Sequence, residues 1–186
     1  MSLSPIAAVL GRLPSGLFVL TARRHPKVTR LASVTQSTGA SLRSSPGHSA
    51  TNQAADETGM LASWVMQAGF EPPMITVALH KDRLLAQWLA EAVPFTVNVL
   101  SQEQRPLLAH FGHGFEEGEP AFEGLEIERA SNGAPVLAGT VGYLECEPAG
   151  QLDSADHRIF LARVTAGRLN QGRRPLVHVR RNGMKY

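Results

Sequence analysis

Apolar positions along this chain fall in short runs, most of strand length, separated by Gly, Pro and acidic breaks. Residues 4–13 are the exception and predict a short helix. Ser4 can cap it, Pro5 takes the first helical position, and Ile6, Val9, Leu10 and Leu13 share one face. "PSG" then turns the chain into "LFVLTA", a compact buried strand. "GMLASWVMQA" reads as one strand and "MITVALH" as the next, joined by the loop "GFEPP". "RLLAQWLAEA" predicts a helix with Leu84, Leu85, Trp88 and Leu89 inward. "FTVNVL" is a further strand, and "QEQRPLLAHFG" a short helix with Pro106 in its first turn. An acidic loop, "FEEGEPAFEG", leads to a short strand. From residue 134 to 178 the pattern predicts three antiparallel strands and a last short one. Many short strands and few helices indicate a mainly β fold with short helices, closed or nearly closed into a barrel.

Residues 25–58 change character. They hold many Ser and Thr, two prolines and no aromatic residue, and between Arg23 and Gln53 the chain is basic with no acid. Such a segment buries little apolar surface, so a mobile insertion in a single domain spanning 1–186 is expected there. A basic Ser/Thr-rich stretch also suits phosphorylation or partner docking; a solvated insertion without a specific role is the simpler reading.

Composition narrows the function classes. The 186 residues suit one domain with a sizeable core, and 43% hydrophobic content is ordinary for a globular protein. Net charge is only +2, so a pI near 9.0 carries no nucleic-acid signature. The single cysteine, Cys146, excludes an intrachain disulfide and a multi-cysteine zinc site, and fits a reducing, cytoplasmic setting. The first residues lack the basic stretch and long apolar run of a secretory leader, and no apolar run approaches the roughly 18 residues of a membrane helix.

Catalytic motifs are scarce. Neither G-x-G-x-x-G after a strand, nor a P-loop, nor a G-x-S-x-G elbow is present. His110 and His113 are close in sequence but lack a carboxylate or cysteine partner, so no metal site is expected. Asp156-His157 resembles half of a charge relay without its serine. A bound cofactor that carries its own chemistry is the better class of expectation.

One stretch asks for such a cofactor. "ASWVMQAGFEPP" starts as a buried strand, carries Ser63, Trp64 and Gln67, breaks at Gly69 and stops on two prolines. Taken with "ITVALHKDR", "FTVNVLSQEQRPLLAHF", "NGAPVLAGTVGYLECE" and "SADHRIFLARV", in that order, it resembles the flavin reductase family of FMN-binding split barrels. Within that family it looks most like the flavin reductase module at the C-terminus of cyanobacterial diflavin flavodiiron proteins. The resemblance runs from about residue 6 to 186, apart from 25–58. The H-x-E-x-D-H type of iron cluster and the flavodoxin-like module of those proteins are absent from this sequence, so the resemblance implies the reductase part only, either standing alone or excised from a longer protein.

The resemblance implies a Greek-key split β-barrel and a homodimer with the flavin near the subunit interface. It implies FMN, with FAD as the alternative, and NAD(P)H as co-substrate. Hydride would pass from nicotinamide C4 to flavin N5, and electrons onward to oxygen, a flavodiiron module or another acceptor. Met60, Leu61, Ala62, Ser63 and Trp64 would run along the isoalloxazine ring, with backbone amides and Ser63 at its polar edge. Gln67, Ala68 and Gly69 would approach the ribityl and phosphate side, and Pro72 and Pro73 would fix the following turn. Lys81 and Arg83 suit the phosphate. Asn98, a polar amide in an apolar strand, needs a partner, either the flavin or the backbone. His157 matches the place where related sequences carry "GDH" and would lie beside the nicotinamide; "SAD" here departs from the glycine form. The alternative reading is a flavin- or haem-binding split barrel without reductase activity.

Overall fold

The computed structural model describes residues 4–24 and 56–184. In chain order the elements are α1 (Pro5–Leu10), β1 (Ser15–Gly16), β2 (Phe18–Arg24), β3 (Asp56–Ala62), β4 (Val65–Phe70), β5 (Pro73–His80), α2 (Leu84–Ala90) and β6 (Phe95–Val99). They continue with α3 (Pro106–Gly112), β7 (Ile127–Arg129), β8 (Pro135–Leu137), β9 (Gly142–Ser154), β10 (His157–Leu169) and β11 (Val177–His178). Most of the expected insertion at 25–58 lies outside the described residues. Its last three residues, Asp56, Glu57 and Thr58, instead begin β3, paired with Arg24, Arg23 and Ala22 of β2.

Seven strands form one antiparallel sheet in the order β3-β2-β6-β9-β10-β5-β4. β3 and β4 are therefore opposite edges of the sheet, yet only Ser63 and Trp64 separate them along the chain. The sheet has to curl until its edges nearly meet, which makes a barrel with an open seam. "GMLASWVMQA" is thus two strands and not one. At the corner the chain crosses from one edge to the other: the Trp64 carbonyl accepts from the Ala78 amide at 3.0 Å and Val65 pairs with Val77.

The barrel interior follows from strand alternation. Ile75, Val77 and Leu79 of β5 point inward, and they pack with Leu20, Phe95, Val97, Phe160 and Ala162. α2 closes one side with Leu85, Ala86, Trp88 and Leu89 buried, as its pattern predicts; Leu84 is half-buried. A second cluster under α3 gathers Leu17, Val19, Leu100, Phe111, Leu137 and Leu176. α3 can approach this closely because residue 59 is glycine: a Cβ there would stand 2.8 Å from the Phe111 ring.

α1 departs from its pattern. Ser4 caps it and Pro5 opens it as expected, but Ile6, Val9 and Leu13 stay exposed and Ala7 is its buried residue. A six-residue helix is too short to lay a full face on a barrel, and what it meets is the C-terminal segment. The Gly183 amide donates to the Ala7 carbonyl at 2.8 Å.

Candidate functional site

The seam is the site. β3 pairs only with β2, so its outer edge keeps backbone amides and carbonyls that no strand satisfies. Facing that edge across the seam are the end of β5 and the loop into α2. Between them lies a cavity of about 1150 Å³, lined on one side by residues 58–63 and on the other by 78–80 and 82–85. The loop after α3, residues 112–116, and the C-terminal segment 178–182 close its ends.

Met60, Leu61, Ala62 and Ser63 all line this cavity, as do Arg83 and His157. Ser63 is 6% exposed and its Oγ is buried without a hydrogen-bond partner in the described protein. Buried hydroxyls are usually paired, and of the orphaned side chains among the described residues Ser63 is the one that belongs to the cavity wall. Thr58 and Gly59, earlier on β3, belong to the same wall.

His157 opens β10 after a turn at Asp156. Its Nδ1 is 2.7 Å from Asp156 Oδ1, and the hydrogen bond from His157 holds the Asp156 carboxyl below its usual range. An ionised carboxylate only accepts, so the proton sits on Nδ1. The ring is further framed by Trp64, with centroids 4.7 Å apart, and by His80 at 5.4 Å edge-on. Trp64 itself stands at the rim, half-exposed, and acts on the cavity through His157. The Arg83 guanidinium donates to the His113 carbonyl, tying the loop into α2 to the loop after α3.

The remaining expected residues lie elsewhere. Gln67, Ala68 and Gly69 sit on β4, the far edge of the sheet, where the Gln67 amide turns to the Gly69 carbonyl at 3.5 Å and a register shift falls between them. The strand break at Ser63–Trp64 carries them past the cavity. Lys81 pairs with Asp153 at 3.2 Å on the surface, and with Arg158 it holds the Asp153 carboxyl low, the Arg158 hydrogen bond being the larger cause. Asn98 is fully buried in the barrel wall. Its amide donates to Val19 O and Thr21 Oγ1, both at 3.2 Å, and accepts from the Leu137 amide at 2.9 Å. Its partners are protein groups, which is the backbone alternative and not a ribityl contact.

Sequence reasoning missed His80, His113, Phe115 and the whole 178–182 segment of the cavity wall. The histidines fell at element ends without a motif, and "HVRRN" has no periodicity to place it. Cys146 is fully buried and its thiol is pushed up to about 12, chiefly by burial, so it is chemically inert here. Among the described residues no group of three or more His, Cys, Asp or Glu could hold a metal ion, and no helix is long and apolar enough to cross a membrane.

An open-seamed antiparallel barrel, with an orphaned hydroxyl and an unpaired strand edge along its cavity, defines a split-barrel protein. The chain belongs to the flavin reductase like domain family, whose profile matches residues 10–185. It is 32% identical over 185 residues to diflavin flavoprotein A 1 of Synechocystis, an alignment covering 98% of this chain and 27% of that protein. The chain thus spans about a quarter of that relative's length. Among solved structures it resembles the NADH:FAD oxidoreductase SgcE6 of Streptomyces globisporus C-1027, with a TM-score of 0.72 and 23% identity over 92% of this chain and 85% of that one. The same enzyme in complex with NAD and FAD fragments superposes with a TM-score of 0.70 at 22% identity, covering 96% and 92%. These likenesses confirm the split-barrel fold, and family membership supports flavin reduction as the general chemistry.

Proposed function

We propose that this protein is an NAD(P)H-dependent FMN reductase, with FAD as the alternative flavin, and that the seam cavity is where flavin and nicotinamide meet. The observation that carries this reading is the orphaned Ser63 hydroxyl on the cavity wall beside the unpaired edge of β3. A flat ring with polar atoms on its rim is the ligand such a wall suits. Met60, Leu61, Ala62 and Ser63 would hold the ring, and Arg83 the phosphate. His157, its proton fixed on Nδ1 by Asp156, offers Nε2 toward the second ring, and Trp64 and His80 keep its plane in place. When bound, the flavin supplies the acceptor for a hydride from the dihydronicotinamide. The protein's own part is to bring the rings to contact distance and to exclude water, a positional contribution that requires no titrating acid or base.

We further assign a homodimer, built on the outer face of the β4-β5-β10-β9 layer. Met66, Thr76, Leu161 and Gly150 are register neighbours across those four strands, and Leu152 lies opposite Ile159 one row away. Met66 is 70% exposed and Leu152 66%. A contiguous apolar sheet face of this kind is normally covered. Replacing Met66 and Leu161 together by lysine is expected to convert a particle of twice the 20.0 kDa chain mass into single chains in analytical ultracentrifugation. A wild-type protein that already sediments as one chain would remove this face as an interface.

The single buried cysteine suits a cytoplasmic setting, and similarity to a module of the diflavin flavoproteins suggests a flavodiiron unit among the electron acceptors, beside oxygen. The deciding experiment is an absorption titration of the purified protein with FMN, followed anaerobically by NADH or NADPH. Bound flavin that bleaches establishes the reductase and its preferred nicotinamide. Flavin that binds and stays oxidised points instead to a flavin- or haem-binding carrier. Absence of flavin binding overturns the reading.

A further inference from the structure

Two arginines of the cavity wall, Arg180 and Arg181, come from the C-terminal segment and from no motif. Backbone bonds fasten that segment on both sides of the cavity. Upstream, Val177 and His178 pair with Gly16 and Ser15, and the Leu176 carbonyl accepts from the Leu17 amide at 3.0 Å. Downstream, the Gly183 amide bonds to Ala7 of α1 at 2.8 Å. The contact with α1 is so close that a Cβ on Gly183 would fall 2.2 Å from the Leu10 Cβ. Residues 179–182 are therefore a strap held at both ends, and all four line the cavity.

The strap delivers its charge to one particular corner. The Arg180 guanidinium lies over the Trp64 ring, 5.2 Å from its centroid, and Trp64 in turn lies against His157. Arg181 is exposed on the cavity side and makes no ion pair or hydrogen bond with a described residue. Arg83 is placed differently: one N–H of its guanidinium goes to the His113 carbonyl, on the α3 side. A phosphate matches the fork of a guanidinium group.

Resting on the reductase reading, we infer that Arg180 and Arg181 form the phosphate subsite for the nicotinamide dinucleotide. The dinucleotide carries its pyrophosphate one ribose away from the reacting ring. With that ring beside His157, the strap's arginines are close by on the same cavity wall, Arg180 over the Trp64 ring that packs on His157. The flavin phosphate goes to Arg83, so the two ligands are sorted by separate cations.

The test is steady-state FMN reduction by the full chain and by Arg181→Ala, with two hydride donors. One is NADH or NADPH. The other is 1-benzyl-1,4-dihydronicotinamide, which has the same reacting ring and no phosphate. Loss of one exposed charge-assisted contact is expected to raise KM for the dinucleotide about tenfold. KM for the benzyl donor and the Kd for FMN should stay at wild-type values, and Arg181→Lys should recover part of the loss. Equal damage with both donors would mean the strap is merely structural, and the inference fails. A weakened FMN Kd would reassign the arginines to the flavin phosphate, and unchanged kinetics throughout would also overturn it. If the wild-type protein reduces FMN with neither donor, the reductase reading itself falls, and the subsite with it.

Discussion

Replacing Ser63 by alanine is expected to weaken FMN binding about tenfold while leaving the flavin-free protein as stable as before, or slightly more stable. The two effects have one cause. Ser63 Oγ is buried and unpaired without a ligand, a condition that costs on the order of 1–3 kcal/mol when no water or protein group compensates. Removing the hydroxyl relieves part of that penalty in the free protein and removes a hydrogen bond from the complex. A fluorescence titration with FMN, set beside urea denaturation without flavin, reads both. A core serine with no ligand role would show no change in Kd. A serine whose hydroxyl supports the β3–β4 corner would lose stability in the free protein. Either result would take Ser63 out of the flavin site.

The opposite profile is expected of Asn98. Asn98→Ala should lower the stability of the flavin-free protein by about 3 kcal/mol and, under conditions where the variant is folded, leave the FMN Kd unchanged. Asn98 joins three parts of the barrel: Val19 and Thr21 of β2, its own strand β6, and Leu137 at the end of β8. Thr21 Oγ1 extends the tie by donating to the Pro135 carbonyl at 2.5 Å. Alanine leaves the Leu137 amide buried with no acceptor, and the short β7–β8 hairpin loses one of its polar ties to the sheet, beside those that Glu145 accepts from Ser131 and Asn132. The midpoint of urea unfolding measures the first effect and a flavin titration the second. A variant as stable as the parent that has lost FMN would return this amide to the flavin.

These two residues show where local pattern stops being informative. Ser63 and Asn98 look alike along the chain: each is a polar residue inside an apolar strand that needs a partner. Only the path of the sheet separates them. Asn98 stands in β6, third from the β3 edge of the sheet and flanked on both sides by strands, so its partners are other strands. Ser63 stands at the end of an edge strand, so its partner is whatever fills the seam. Gln67, Ala68 and Gly69 are the same lesson reversed. They follow Ser63 by a few residues, but a break of two residues sends them to the other edge of a seven-stranded sheet. Lys81 and Arg83 differ by two positions; one is drawn to Asp153 and the other into the cavity.

What the sequence by itself determined was the alphabet of elements: the strand-length apolar runs, β5 among them, the α2 face with Leu85, Trp88 and Leu89, and the capped start of α1. Those follow from periodicity and capping, which act over a few residues and survive without knowledge of the rest. Its short motifs, taken in order, also pointed to the flavin reductase family. What only the tertiary structure decided was which edges face each other. The seam between β3 and the end of β5, the frame of Trp64 and His80 around His157, and the strap carrying Arg180 and Arg181 all bring together residues far apart in the chain. Such neighbours are selected by the curl of a sheet whose first and last strands must nearly meet. That constraint belongs to the whole barrel and leaves no trace in any window of the sequence.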